Sequence, residues 1–299
     1  MPQPGIFAQG TTAHYFLEFD FLPAHAPEAV LECVSRLRQP AVSAGAVNVV
    51  VAFGPALWRS IAPDHVPESL HEFTEISGPG GRRAPATQHD LWLWISGSST
   101  DVVFEHARAA ARTLRGLAEL RSEQPCFVNR DSRDLTGFID GTANPPPELA
   151  PQVALVAEGR PGEGGSHVLA QKWVHDLDRF DELSVPDQQR VFGRTKADST
   201  ELEGSEKPAD SHIARVDIRD ASGADVPIFR RSVPFGTVSE SGLYFVAFSA
   251  DPLRYDRMLA RMFGTDSDGL ADRLTGFTRP VGGGYYFAPS LTALAGLSP

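Results

Sequence analysis

Residues 137–145 read Gly-Phe-Ile-Asp-Gly-Thr-Ala-Asn-Pro and place one carboxylate, that of Asp140, in a segment suited to a turn. Glycine reaches left-handed backbone angles without a steric penalty, and proline pushes the residue before it toward extended geometry. The spacing therefore predicts a rigid loop that presents Asp140. A carboxylate held in this way can accept or donate a proton at a bound ligand.

Two other interpretations of this loop follow from its residues alone. In the first, its side chain accepts hydrogen bonds from nearby backbone amides in an Asx-type turn, which is the commoner role of an isolated aspartate in such a setting. In the second, the segment is a phosphatase motif of the Asp-x-Asp-Gly-Thr kind. Phe138 occupies the nucleophile position of that motif, so the second interpretation lacks its nucleophile.

The segment as a whole resembles the Gly-Phe-Ile-Asp-Gly-Thr-x-Asn-Pro signature of dye-decolorizing peroxidases, which are haem enzymes with a distal aspartate as acid/base. The resemblance implies that Asp140 is that aspartate and that each chain binds one haem b. Ala143 departs from the pattern, because many members of the family carry a glutamate there. Any role of that glutamate in metal or substrate contact does not carry over to this chain.

A haem iron needs a protein ligand, and a neutral imidazole is the usual choice. Among nine histidines, only His212 lies in a segment that resembles the family's proximal-histidine segment, residues 210–215. The resemblance implies that His212 is the axial ligand of the iron. The other ring nitrogen of such a ligand normally donates to a carboxylate. In residues 268–274 we choose Asp272, inside a predicted helix, over Asp268 at the helix cap.

Cleavage of the O–O bond of a peroxide sends negative charge onto the leaving oxygen, and a fixed cation stabilises that charge. Residues 229–236 resemble the family's distal arginine segment, which implies that Arg230 faces the iron and that Ser232 hydrogen-bonds distal water. In an extended segment, Arg230 and Ser232 point together into the pocket and Arg231 points away. Taken without the other motifs, the segment would be interpreted as a surface Arg-Arg pair beside a turn.

Haem propionates are anionic and need a basic partner. Residues 193–196, Gly-Arg-Thr-Lys, resemble the family segment whose arginine meets a propionate, which implies Arg194 first and Lys196 second. Glu201 follows at the position of a family carboxylate near the same haem edge. From composition alone, a solvated charged loop explains these three residues equally well.

The net charge of -11 at pH 7 argues against nucleic acid or an anionic membrane as a partner, because either would repel the protein. The first residues lack a basic region followed by an apolar run, and no apolar stretch approaches the roughly 20 residues that span a bilayer. We therefore expect a cytoplasmic protein. Cys33 and Cys126 form no Cys-x-x-Cys pair, which argues against a disulfide framework or a zinc site.

The hydrophobic pattern predicts strands that alternate irregularly with helices at residues 28–38, after Ser99 or Thr100, and after Pro252. Strands are predicted at residues 13–21, 48–53, 90–95, 168–174 and 243–248. The strand and helix near residue 95 repeat weakly about 150 residues later. Together with the resemblance, this predicts an α+β fold of two ferredoxin-like halves with antiparallel sheets and peripheral helices, similar to a dimeric α+β barrel. We place the halves at residues 1–145 and 146–299.

The resemblance implies a haem-dependent peroxidase that reduces hydrogen peroxide and oxidises small organic reductants, such as dyes or phenolics, through ferryl intermediates. We also expect a homo-oligomer. The chain ends shortly after residues 285–290 without the long tail that loads relatives into encapsulin shells, so we do not expect such loading. Two alternatives remain open from the sequence. One is a haem or porphyrin carrier with incidental peroxidase activity, and the other is a haem-free hydrolase that uses Asp140 with a histidine.

Overall fold

The computed structural model describes residues 1–23 and 47–297, together with residues 29, 32 and 37. The predicted helix at residues 28–38 therefore lies almost wholly outside the described residues, as does Cys33. The strands are β1 (Ala13–Phe21), β2 (Val47–Phe53), β3 (Ile76–Ser77), β4 (Arg83–Ala84), β5 (Leu91–Gly97), β6 (Ala118–Phe127), β7 (Ser166–His175), β8 (Phe229–Arg230), β9 (Val233–Gly236), β10 (Ser241–Ser249) and β11 (Thr278–Ala288). The α-helices are α1 (Pro55–Ile61), α2 (Thr100–Thr113), α3 (Ala150–Ala154), α4 (Leu177–Asp181), α5 (Val185–Phe192), α6 (His212–Val216), α7 (Leu253–Phe263) and α8 (Leu291–Gly296).

Nine of the described strands form one sheet in the order β6-β1-β5-β2-β11-β7-β10-β8, with β9 also paired to β10. Every named pair is antiparallel. Each half of this order places its last strand beside its first and its third beside its second, which is the ferredoxin-like arrangement. The two halves meet where Phe53 of β2 pairs with Phe287 of β11. The α+β prediction is confirmed, and over the described residues the sheet is open rather than a closed barrel.

The predicted strands are where the pattern placed them. β1 spans the predicted residues, and β5 is buried along its whole length, as its run of leucine, tryptophan and isoleucine requires. The helix after β5 begins after Ser99, which occupies the N-cap position but hydrogen-bonds to the Asp101 side chain rather than to a backbone amide of the helix. On this helix Val103 and Ala107 are buried against the sheet, whereas Phe104 is 50% exposed.

Both faces of the sheet are covered by apolar side chains. On one face of the N-terminal half, α2 packs over β1 and β5, with Leu17, Leu93 and Ala107 in the same cluster. A second cluster joins the two halves, since Phe16 of β1 stacks on Tyr244 of β10 with ring centroids 4.0 Å apart. α7 covers the face of β7 and β10 that carries Leu169 and Ala247. None of the described helices is both long and apolar enough to cross a bilayer.

Candidate active site

A cavity of about 490 Å³ lies on the α7 side of the C-terminal half. Five of the seven predicted site residues line it: Asp140, Arg194, Glu201, His212 and Arg230. Much of the remaining wall is apolar and comes from β10, α6 and α7, including Ile213, Leu243, Phe245, Met258, Leu259 and Met262. A small set of polar and charged groups in an apolar hollow of this size is typical of a cofactor or substrate site.

The Asp140 loop is a fixed turn, as the two glycines predict. Gly137 and Gly141 have φ angles of 87° and 82°, and a Cβ at Gly137 would lie 2.6 Å from the Lys196 side chain. The Gly137 amide donates to the Asp134 carbonyl at 2.8 Å, and the Asp134 amide donates to the Phe138 carbonyl at 2.9 Å. Phe138 is buried and anchors the loop in a small apolar cluster. The backbone therefore leaves Asp140 little freedom to move.

Asp140 and Arg230 lie together at one end of the cavity. The shortest distance between their charged groups, from Arg230 Nη1 to Asp140 Oδ1, is 3.9 Å. Asp140 Oδ1 also accepts a hydrogen bond from the amide of Gly141 at 2.6 Å, which is the next residue along the chain, whereas an Asx-type turn would use the amide two residues further on. No described residue hydrogen-bonds to Oδ2. One oxygen of this carboxylate thus orients the side chain, and the other is left for a ligand.

Asn144 connects the Asp140 loop to the strand that carries Arg230, and sequence reasoning assigned it no role. Its Nδ2 donates to the Arg230 carbonyl at 2.9 Å, and its Oδ1 accepts from the Arg230 amide at 2.8 Å. The side-chain amide thus pairs with β8 as another strand would. The asparagine of the sequence motif therefore fixes the position of Arg230 relative to Asp140.

His212 begins the short helix α6, and its orientation is set by Asp272. The distance from His212 Nδ1 to Asp272 Oδ2 is 2.6 Å, and Asp272 is 0% exposed. Asp272 Oδ1 also accepts from the Leu274 amide at 2.8 Å. Because an ionised carboxylate only accepts hydrogen bonds, Nδ1 carries the proton and Nε2 keeps its lone pair. This is the tautomer that can bind a metal through Nε2.

The helix predicted around Asp272 is wrong, although the aspartate lies where its proposed role requires. Asp272 is the N-cap of a 3₁₀ turn formed by Arg273–Gly276 rather than an interior residue of a helix. Asp268 is not a helix cap and instead forms a bidentate contact with the Arg215 guanidinium at 2.7 and 3.0 Å. The Gly-Leu-Ala stretch between the two aspartates has no regular secondary structure, and the 3₁₀ turn begins only after Asp272.

Arg194 and Glu201 form a pair at the cavity wall. Arg194 Nη2 lies 3.4 Å from Glu201 Oε2, and Arg194 Nη1 donates to the Ser199 carbonyl at 2.8 Å. Glu201 also accepts from Lys207 Nζ at 2.7 Å. Lys196, the second basic candidate, does not line the cavity, since its ammonium group donates to Gln188 Oε1 at 2.6 Å. Of the two basic candidates, Arg194 therefore lines the cavity and Lys196 does not.

Ser232 and Arg231 do not line this cavity but a second one, of about 370 Å³, which adjoins it. The second cavity shares Asp140 and Arg230 with the first. Ser232 Oγ accepts from the Val246 amide at 3.3 Å. Extended geometry predicted that Arg231 would point away from the haem pocket. It is absent from the first cavity, but it reaches the second beside Ser232, because β8 ends at Arg230 and the backbone is irregular at residues 231 and 232.

His175 and Asp134 form a buried pair in the cavity wall that supports the Asp140 loop. Neither His175 nor its partner has a recognisable signal in the sequence that would indicate the pair. His175 Nε2 lies 3.0 Å from Asp134 Oδ1, and the amide of Thr136 donates to Asp134 Oδ2 at 3.0 Å. Burial alone would raise the pKa of Asp134, but His175 and Thr136 together hold it below its usual value. The Asp134 carboxylate is therefore ionised at neutral pH and anchors the turn that leads to Asp140.

Comparison with known protein families shows to which family this chain belongs. The model of the Dyp-type peroxidase N-terminal region matches residues 3–128, and that of the C-terminal region matches residues 131–293. The chain belongs to the Dyp-type peroxidase family. Both matches together cover almost the whole chain, so the family assignment does not depend on the site motifs alone.

Individual relatives of this Dyp-type peroxidase agree with the family match. A dye-decolorizing peroxidase of Rhodococcus erythropolis is 35% identical over 97% of this chain and 87% of its own length. A dye-decolorizing peroxidase of Mycobacterium tuberculosis is 38% identical over 83% of this chain and 75% of its own length. A variant of DypB from Rhodococcus jostii RHA1, solved in complex with heme, superposes with a TM-score of 0.90 at 31% identity and covers 100% of this chain and 98% of that one.

Proposed function

We propose that this Dyp-type peroxidase holds haem b in the 490 Å³ cavity through His212 and uses Asp140 and Arg230 to activate hydrogen peroxide. The chain is a haem peroxidase, as its family and its relatives are. The single observation that supports the residue roles best is the cavity itself, which brings Asp140, Arg230 and His212 together from three separate stretches of sequence. Hydrogen peroxide and a reductant are its substrates.

The donor set in the cavity fits a haem. His212 presents an Nε2 lone pair, because Asp272 fixes the proton on Nδ1. The apolar wall suits a porphyrin ring, and Arg194 supplies a cation for a propionate near Glu201. We propose that His212 would ligate the iron and that Asp272 increases the basicity of the imidazole by accepting its Nδ1 proton in a hydrogen bond. When bound, haem supplies the iron centre that takes both oxidising equivalents of hydrogen peroxide and passes them to the reductant.

We propose that Asp140 and Arg230 act on the peroxide itself. Asp140 Oδ2 accepts the proton of one peroxide oxygen and returns it to the other, directly or through a water. Arg230 stabilises the negative charge that develops on the leaving oxygen, and its guanidinium stays protonated throughout. Ser232 is proposed to hydrogen-bond distal water through the adjoining cavity. The 3.9 Å separation of Asp140 and Arg230 supports this division, because it is too long for a tight ion pair that would occupy both groups.

The alternative of a haem or porphyrin carrier is not favoured, since the relatives that match at 35–38% identity are named dye-decolorizing peroxidases. Nothing in the geometry favours the haem-free hydrolase either, because His175 pairs with Asp134 and His212 with Asp272 rather than with Asp140. The division between residues 145 and 146, the homo-oligomer and the cytoplasmic location remain our predictions.

Replacing His212 with alanine tests the proposal. We expect the purified variant to lose stable haem and its Soret band, because the iron loses its protein ligand, whereas His65→Ala, at an exposed histidine outside the cavity, keeps both. The measurement is the absorption spectrum and the haem content per chain after haem supplementation. Equal haem content in His212→Ala and wild type would show that another residue is the ligand.

A further inference from the structure

The second cavity has the size of a site for a small organic molecule. Its volume of about 370 Å³ falls in the range of ligand pockets. It shares Asp140 and Arg230 with the first cavity, so a molecule bound there would lie next to the groups proposed to act on peroxide. The function proposed above uses only Ser232 of its other lining residues.

Three arginines and two aspartates line this cavity, and of the aspartates Asp134 pairs with His175 and Asp140 lies near Arg230. Arg133 pairs with Asp131 at 2.9 Å, and Arg230 lies 3.9 Å from Asp140. Within the described part of the chain, Arg231 has no carboxylate within ion-pair distance. Its guanidinium is partly buried, and burial lowers its pKa to about 10, so it remains a cation at neutral pH. A partly buried cation without a counter-charge favours an anion as its ligand.

The protein contacts of Arg231 leave most of its donors free. Its Nη1 donates to the Ile6 carbonyl at 3.3 Å, which is a long contact. The guanidinium carbon also lies 5.2 Å from the centre of the Trp94 ring and 6.0 Å from that of Phe229. These aromatic contacts hold the guanidinium plane in place and use no N–H group. A fork of this kind matches the two oxygens of a carboxylate.

His14 adds a second donor to the wall of the cavity. Its Nδ1 accepts from Trp94 Nε1 at 3.0 Å, and an indole nitrogen can only donate. Burial, and then the charge of Arg231, lowers the pKa of His14 to about 4, so the ring is neutral and its proton is on Nε2. Nε2 is buried without a hydrogen-bond partner among the described residues, although the Thr11 carbonyl lies near the ring. Like Arg231, His14 can only offer a proton here.

One part of the wall is apolar and suited to the ring of an aromatic ligand, whereas residues such as Thr12, Asn129 and Ser132 make the rest of it polar. Phe229, Val128, Val233 and Pro234 line the cavity together with the polar groups. A bound acetate or chloride would leave this apolar surface uncovered, whereas a benzoate-sized molecule would cover it. Burial of apolar area adds to the affinity of such a ligand.

We propose that the second cavity binds an aromatic carboxylate, with Arg231 holding the carboxylate, and that a phenolic acid bound there is an electron donor of the enzyme. This inference rests on the proposed peroxidase function and names the substrate class of that site. Two phenols supply the two electrons and two protons that reduce one hydrogen peroxide to two waters, and each leaves as a phenoxyl radical.

Binding to the haem-loaded enzyme without peroxide tests the inference separately from catalysis. The probes are 4-hydroxybenzoate and its methyl ester, which differ by one charge, and the dissociation constants are measured by isothermal titration calorimetry. We expect the wild type to prefer the acid, and Arg231→Gln to weaken acid binding by about 10- to 100-fold, as expected for loss of a hydrogen bond to a charged group. Arg231→Lys should recover part of the loss, and Arg108→Gln, at an exposed arginine on α2, should bind like the wild type.

Two outcomes would overturn the inference. One is a ratio of the acid and ester dissociation constants that is the same in wild type and Arg231→Gln, which includes an equal loss for both probes. The other is displacement of 4-hydroxybenzoate by acetate as effectively as by benzoate. An intact Soret band in each variant shows that haem is still held and keeps this test independent of the test on His212. The KM for 4-hydroxybenzoate in turnover with peroxide should rise in Arg231→Gln in proportion to the dissociation constant.

Discussion

At the scale of single residues, the tautomer of one imidazole determines whether the cavity can hold iron. Asp272 accepts at Oδ2 from His212 and at Oδ1 from the Leu274 amide, so both of its oxygens are acceptors with fixed partners. The side chain of Asp272 has no exposed surface, so both contacts are shielded from bulk solvent. The proton of His212 is therefore held on Nδ1, and its lone pair is held on Nε2.

Asp272→Asn should disturb this arrangement without changing the shape of the site. An asparagine has one acceptor and one donor end, so it can satisfy either His212 Nδ1–H or the Leu274 amide, but not both. If its NH₂ faces Nδ1, the imidazole proton moves to Nε2, which is the nitrogen that the iron needs. We expect haem affinity or the rate of reaction with peroxide to fall about 10- to 100-fold, as is usual for loss of such a carboxylate partner.

Haem titration and stopped-flow absorbance after peroxide addition measure the two effects of Asp272→Asn. Asp266→Asn is a matched control, since that aspartate is exposed and only caps the Ser267 amide. Wild-type affinity together with a wild-type rate in Asp272→Asn would remove the carboxylate from the proposed mechanism.

The sequence could identify His212 and Asp140 only through family motifs. Nothing in composition separates one of nine histidines from the others, and the partner of His212 lies 60 residues further along the chain. The pair of His175 and Asp134 was not predicted, because a contact across 41 residues leaves no local pattern. Asn144 was noted for its place before a proline, but its pairing with Arg230 depends on where β8 lies.

At the scale of elements, the site depends on how the Asp140 loop is held against β8. Two hydrogen bonds from the Asn144 side chain reach the backbone of Arg230, while β10 pairs with the other edge of that strand. β8 has only two residues, so the ladder on one side gives it little support. The loop and the strand therefore form one unit through Asn144.

Asn144→Ala should separate the loop from the strand. The Arg230 amide and carbonyl lose their partners, and each buried polar group left unpaired costs about 1–3 kcal/mol of unfolding free energy. Because Arg230 is then free to shift relative to Asp140, we expect kcat/KM for peroxide to fall by about tenfold or more. The measurements are denaturant unfolding of the holoprotein and the bimolecular rate of reaction with peroxide.

Asn48→Ala on β2 is the control for Asn144→Ala, because it removes the same side chain from a half-buried position outside both cavities. A loss of stability in Asn144→Ala without any loss of peroxide rate would show that Asn144 supports the fold alone. An unchanged stability would contradict the two hydrogen bonds themselves.

Two long strands, β6 and β11, have compositions that are not typical of strands, and the sequence did not predict them. β6 carries the charged residues Glu119, Arg121 and Glu123, since it is an edge strand with one partner and mostly exposed side chains. β11 contains three glycines at residues 282–284, which weaken a strand pattern. Both strands went unpredicted for these reasons, whereas the buried strands β2, β5, β7 and β10 gave clear apolar runs.

At the scale of the whole molecule, two ferredoxin-like halves act as one body because they share a sheet and a core. The pairing of β2 with β11 joins strands that are more than 200 residues apart, and no local property of either strand predicts it. The core between the halves contains Trp92 and Trp94 from the first half and Tyr244 and Phe248 from the second. The sequence could predict each half, but not this shared surface.

Phe16→Ala should show whether the halves unfold together. Phe16 lies on β1 in the first half, and its ring stacks on Tyr244 of the second half at 4.0 Å, so its removal should cost about 3–5 kcal/mol of unfolding free energy. Three of the four tryptophans, Trp58, Trp92 and Trp94, belong to the first half, while the Soret band reports on the proposed haem cavity of the second. If the core is shared, Phe16→Ala lowers the denaturant midpoints of tryptophan fluorescence and of the Soret band by the same amount.

Phe104→Ala is the control, at a half-exposed phenylalanine of α2. It should change the unfolding free energy obtained from either signal by less than about 0.5 kcal/mol. A shift of the fluorescence transition alone would mean that the halves are independent, and the haem cavity would then keep its shape without the N-terminal sheet.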